Sequence, residues 1–331
     1  MGLPHPSRQM PSPTESESSA PSHEVADVPR APTRAGLLRQ HARLAGLDSA
    51  PWLHEEVARR LAAKLEPIRL QPTDWVDWSA FLGAGRSPVV ERYPQARRWV
   101  VEPTHGLARR SEAQARGATS WLTRPWQALR RERPTVLVEP VAQAPWPEAG
   151  AHMLWANMTL HGAPDVPALL TTWHRHLAVG GFLMCSGLGP DTARELRSLY
   201  RELDWPTPTI DFIDMHDLGD ELVRAGFADP VMDMERLTLT WATAEDMLAE
   251  LRTWGGNVAR GRFSGLRTPR WRQTLLDSIT QRLSRTDGRV ALTVELIYGH
   301  AIKPEPRVAV ASEARISLDD MRRMVRSKGH P

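Results

Sequence analysis

Val76-Asp77-Trp78-Ser79-Ala80-Phe81-Leu82-Gly83 joins a short apolar run to a turn, at the place where an open α/β sheet commonly cradles a nucleotide-type ligand. Such a loop normally carries several glycines, because glycine tolerates positive φ and puts no side chain in the ligand's path. Here Gly83 closes the stretch and the earlier positions hold bulkier residues. Outward from this turn, short apolar runs alternate with helical stretches, the pattern of a mostly parallel sheet with crossover helices. The runs predict strands over residues 75–78, 98–101, 135–138, 151–156 and 182–186, with a helix over 168–177 that stops at Gly180-Gly181.

Beyond Ser186 the spacing predicts helices over 192–203, 215–225, 244–254 and 270–284. Two late strands, 231–241 and 290–301, alternate or are β-branched enough to pair as an antiparallel edge. Upstream, helices are predicted over 35–45 and 52–65, the second placing Leu53, Val57, Leu61 and Leu65 on one face as a cover for the sheet. Residues 1–34 are rich in Ser, Pro and Glu, with almost no large apolar side chains, and read as a disordered tail. The main domain is read over 35–304, with helical lid segments at about 192–225 and 244–284, and residues 305–331 as a second tail.

At 331 residues the chain is long enough for one large α/β domain with additions, or for two smaller ones. The balance of 42 Lys+Arg against 39 Asp+Glu leaves a net charge of +3, so any electrostatic partner must be sought in local patches. Nucleic acid is not expected, because no aromatic-interleaved basic sheet motif is visible. The single Cys185 lies in an apolar run and one thiol makes no internal disulfide, so a reducing cytoplasm is the expected compartment. No run approaches the roughly 18 apolar residues of a membrane helix. The histidines show no zinc-ligand spacing, and no metal is expected.

Met153-Leu-Trp-Ala-Asn157, Leu160-His161, Leu177-Ala-Val-Gly-Gly-Phe-Leu-Met-Cys-Ser186 and Gly189-Pro-Asp-Thr192 follow in order. Further on come Ala225-Gly-Phe227, Thr238-Leu-Thr240, Gly256-Asn257, Gly265-Leu266 and Glu295-Leu-Ile-Tyr-Gly-His-Ala301. This series, over roughly residues 50–304, resembles the class I S-adenosylmethionine-dependent methyltransferases. It is most similar to the malonyl-acyl-carrier-protein O-methyltransferases of biotin synthesis. The resemblance implies a Rossmann-like sheet, mostly parallel with an antiparallel edge strand and a helical lid insertion. It also implies S-adenosylmethionine as cofactor and a malonyl-loaded acyl carrier protein as partner.

Within that resemblance Asp77 matches the acid that opens the family's Asp-x-Gly-x-Gly-x-Gly turn, which puts the glycine positions at Ser79, Phe81 and Gly83. If Ser79 and Phe81 must both be left-handed, each costs about 1–2 kcal/mol. A shifted frame, Gly83-Ala84-Gly85, keeps two glycines but spoils the spacing to Tyr93. Asp77, Gly83 and Glu102 are the implied cofactor residues, Glu102 as the ribose-binding acid, with Glu139 a candidate for the adenine side. Asn157 and His161 fall where donor and acceptor meet in this fold; a capping Asn and a packing His are the plain alternatives. Trp78, beside the altered turn, is a candidate contact for adenine or substrate.

Methyl transfer to an ionised carboxylate needs alignment and desolvation, and no general base. It does need a cationic holder. Arg260, Arg262, Arg267, Arg270 and Arg272 lie in a stretch without acidic residues, and arginine forks suit carboxylates. Arg260, Arg262 and Arg267 are the candidate acceptor-binding residues, an ordinary solvated basic loop being the alternative. The altered turn keeps two rivals open: a methyltransferase fold retained for binding or regulation, and a methyltransferase for another small acceptor.

Overall fold

The structure is a computed structural model that describes residues 32–117, 134–139, 147, 149–306 and 319. Most of the two expected tails, 1–34 and 305–331, therefore lies outside the described residues. Strands β1 (Asp74–Trp78), β2 (Arg97–Glu102), β3 (Thr135–Val138), β4 (Ala151–Ala156) and β5 (Leu177–Leu188) pair in parallel. Strand β7 (Val290–Ile302) pairs antiparallel with β5 on one side and with β6 (Ala228–Trp241) on the other. The sheet order is β3-β2-β1-β4-β5-β7-β6, so the antiparallel pairing read from the two late strands holds and β6 forms the edge.

Four of the five β1 residues are buried, because helices cover both faces. Trp75 points to one side and joins Leu53, Val57 and Leu61 of helix α2 (Trp52–Ala63), the apolar stripe predicted for that helix. Val76 and Trp78 point to the other side, into a cluster with Leu170 and Trp173 of α6 (Val166–His176) and Leu218 and Leu222 of α8 (Met215–Arg224). Within the expected lid, the segment over 215–225 thus packs on the sheet. The lid itself consists of α7 (Arg194–Glu202), α9 (Ala244–Thr253) and α10 (Pro269–Leu283). Its own apolar cluster joins Leu196, Leu199, Met247, Leu275 and Ile279.

Local chemistry fixes where these helices start. Asp165, Asp214, Thr243 and Thr268 each accept a backbone N–H in the first turn of α6, α8, α9 and α10, a cap worth about 1 kcal/mol apiece. Among the described residues, no helix is long and apolar enough to cross a membrane. The chain leaves β1 toward β2 and β3 on one side and returns to β4 on the other. The C-terminal ends of β1, β2 and β4 thus share the crevice where open α/β sheets bind ligands.

Candidate active site

The turn after β1 is helical and shut. Ser79 is left-handed, with φ of 54°, and its N–H donates to the Val101 carbonyl at 2.8 Å. A single turn, α3 (Ala80–Gly83), follows and ends at Ala84, which is left-handed as well, with φ of 50°. The expected strain is therefore redistributed: it falls on Ser79 and Ala84, while Phe81 has no positive φ. Gly83 needs no positive φ either; it lies close to the backbone of Asn157, 3.3 Å from where a Cβ would stand. A Cβ on Gly85 would overlap the Trp155 indole.

Glu102 ends β2 and is 0 % exposed. One carboxylate oxygen, Oε1, accepts the Phe81 N–H at 2.7 Å and the Ser111 hydroxyl, while Oε2 is buried with no partner among the described residues. Burial pushes its pKa up to about 7, against the two hydrogen bonds that pull it down. The Phe81 ring, 1 % exposed, packs with Leu44, Leu82 and Leu107, and the Arg110 guanidinium lies over it at 5.2 Å. An unpartnered acceptor at this strand end is what a ribose hydroxyl would satisfy. The acid fits an adenosyl group; the turn, as it stands, covers it.

Asp77 is also buried, and its Oδ2 is gripped by Arg98 through Nε at 3.0 Å and Nη2 at 2.6 Å. Burial outweighs that guanidinium and raises the carboxyl's pKa. Asp77 thus anchors β1 to β2 through Oδ2, while its Oδ1 has no partner among the described residues. Glu139 follows β3, exposed, and interacts through its carboxylate with the Trp78 side chain. The Trp78 indole is accordingly in the core, with that acid as its polar partner, and is not a free stacking face.

Asn157, expected at the reaction centre, has all its side-chain groups in use as a staple. Its amide donates to the carbonyls of His54 at 2.8 Å and Gly83 at 2.7 Å, and its Oδ1 accepts the Ser186 hydroxyl at 2.7 Å. His161 lies in the 3₁₀ turn Leu160–Gly162 and does reach a ligand-sized space. That space is a cavity of about 290 Å³ under the lid, walled by His161, Leu196, Tyr200, Phe212, Leu251 and Trp271, with Thr192, Arg252 and Asn257 among its polar groups. Burial first, and the neighbouring His54 ring when protonated, push the His161 pKa down to about 3, so this imidazole is neutral and only a weak base at physiological pH.

Arg260, Arg262 and Arg267 do not line the cavity; Arg252, on α9, does. Arg260 is exposed on the lid loop, Arg262 donates to the Phe263 carbonyl at 3.4 Å, and Arg267 stacks on Phe263 and Trp271 at 3.8 and 4.1 Å. Beside them Leu266 is 97 % exposed. Helix α1 (Arg34–Leu44) closes the cavity from the other side: Thr33 N–H donates to Val258, Gln40 to the Trp254 carbonyl and Arg43 to that of Gly255. A side chain at Gly255 would overlap Gln40, so the seam needs its glycine.

A malonyl-[acyl-carrier protein] O-methyltransferase of Gallionella capsiferriformans is 37 % identical to this chain over 80 % of the chain and 88 % of its own length. That of Laribacter hongkongensis is 35 % identical over 86 % and 91 %. The chain belongs to the malonyl-[acyl-carrier protein] O-methyltransferase family. A putative methyltransferase of Bacillus halodurans shares the fold, with a TM-score of 0.50 at 18 % identity, covering 73 % of this chain and 98 % of its own. The YcgJ protein of Bacillus subtilis does so at 12 % identity with the same score, covering 74 % and 98 %. The chain matches no protein-family model.

Proposed function

We propose that this family member transfers a methyl group from S-adenosylmethionine to the free carboxylate of a malonyl group borne by an acyl carrier protein, on the route to biotin. The observation that carries the reading is the shared end of the sheet. Glu102, with its unpartnered oxygen, and His161, on the wall of the acceptor cavity, close parallel strands that point the same way. When bound, S-adenosylmethionine supplies an electrophilic methyl group. Glu102 would hold the ribose and Gly83 would sit against the amino-acid end, once α3 has lifted from the carboxylate.

The chain's own residues then account for the rest. An ionised carboxylate carries its nucleophilic lone pair already, so a neutral His161 suits the reaction: it shapes a dry wall and takes no proton. Arg252 is the cation within reach of a carboxylate in the cavity, and the apolar lining excludes water. Outside, Arg260, Arg262 and Arg267 share a loop with exposed Leu266, a basic rim with an apolar residue that suits an acidic carrier.

The shut turn favours one other reading, a methyltransferase fold that keeps the acceptor cavity for binding alone. Calorimetric titration with S-adenosylmethionine, followed by mass spectrometry of malonyl-loaded carrier protein after incubation, separates the two. Binding and a gain of one methyl group support transfer; an acceptor that binds while the nucleoside gives no heat sinks it.

A further inference from the structure

We propose that His54 is a positioning residue for methyl transfer, holding the cofactor turn with one side of its ring and backing His161 with the other. The inference rests on the methyltransferase reading above. His54 lies in α2, 3 % exposed, and its Nδ1 is 2.9 Å from the Leu82 carbonyl. A carbonyl only accepts, so Nδ1 carries the proton and Nε2 is left as a bare acceptor. Nε2 is buried and has no partner among the described residues. Burial holds the ring's pKa down to about 4, so the imidazole stays neutral and gains no second donor.

An apolar side chain of that size would fill the same volume with no polar atom to desolvate. The bond to Leu82 is therefore what the imidazole contributes. Leu82 and Gly83 are the last two residues of α3, whose terminal carbonyls have no partner within so short a helix. His54 takes the first through its ring, and Asn157 takes the second while also holding the His54 carbonyl. The two side chains close a loop of hydrogen bonds between α2, β4 and the turn. The His54 ring also packs with His161, at 6.3 Å between centroids and an interplanar angle of 80°. His161 is the imidazole on the acceptor wall. One side chain thus braces both halves of the site: the second half of α3 stays fixed while the Phe81 half moves off Glu102.

Three variants of the full chain test this. His54→Leu removes the donor, His54→Asn places an amide N–H near the Nδ1 position, and His54→Gln carries its amide out toward Nε2. In His54→Leu and His54→Gln the Gly83 amide should exchange with solvent about tenfold faster, and the Kd for S-adenosylmethionine should rise about tenfold. His54→Asn should bring both to within about threefold of the wild type. Unchanged exchange and Kd in His54→Leu, tighter binding, or no rescue by His54→Asn overturns the proposal. If His54→Leu fails to fold, the contrast between Asn and Gln decides. If the wild type itself binds no S-adenosylmethionine, the methyltransferase reading falls while exchange at Gly83 still judges His54.

Discussion

The Phe81 N–H donates to the Glu102 carboxylate at 2.7 Å, tying the turn that follows β1 to the acid that ends β2. Lifting the turn breaks this bond and exposes the Phe81 ring, so under the proposed function cofactor entry would compete with a folded-state interaction.

The competition depends on pH. Glu102 has a folded pKa of about 7 against an ordinary 4.5, the result of burial first, opposed by Ser111 and Phe81 and by Arg98, and reinforced by Asp77. An acid whose pKa is raised by folding contributes most below its unfolded value, and that contribution is lost as pH rises from about 4.5 through 7. Glu102→Gln should therefore gain stability over the wild type at pH 8, by up to about 3 kcal/mol, and little at pH 4. Urea denaturation across that range measures the difference, and a pH-independent offset would contradict it.

Glycine should help the turn where the backbone is left-handed and harm it elsewhere. Ser79→Gly and Ala84→Gly should each stabilise the fold by about 0.5–1 kcal/mol. Phe81→Gly gains nothing from φ and loses a buried ring, a cost of about 3–5 kcal/mol. Denaturation midpoints of the three variants should diverge in sign.

Arg98→Leu leaves Asp77 buried without its cation and should cost about 3–5 kcal/mol. Adding Asp77→Asn should recover much of the loss. A double variant as unstable as the sum of the single ones would show that the pair is not coupled.

Replacing Arg260, Arg262 and Arg267 together with Ala should raise the KM for carrier-bound acceptor about tenfold or more and flatten its salt dependence. Turnover of a small malonyl thioester, which reaches the cavity without the rim, should change by less than about twofold. Equal losses with both acceptors would remove the rim from recognition.

Much of this fold could be read from residue pattern. Strands over 135–138 and 151–156 match to the residue, because short β-branched or apolar runs, half-buried in the first and mostly buried in the second, carry their own boundaries. Strand β5 runs longer than its apolar stretch, from Leu177 to Leu188, since Gly180-Gly181 bends the strand instead of ending it and Leu177 pairs with Ala151. Glu102 was legible as an acid at a strand end. The staple of Asn157 was not, since its partners His54 and Gly83 lie 103 and 74 residues away. Arg252 is one of several basic residues on an amphipathic helix, and nothing in its spacing sets it apart. The arginine cluster was visible, but composition does not say whether a basic loop faces a cavity or its rim.

The seam between α1 and the 254–258 loop has a practical side. A chain begun at residue 46 would lose that seam together with Leu44, which packs against the Phe81 ring, so the cavity and the turn after β1 would both stand open on one flank. Shortening from the amino end would thus loosen two places at once while leaving every strand of the sheet in the chain.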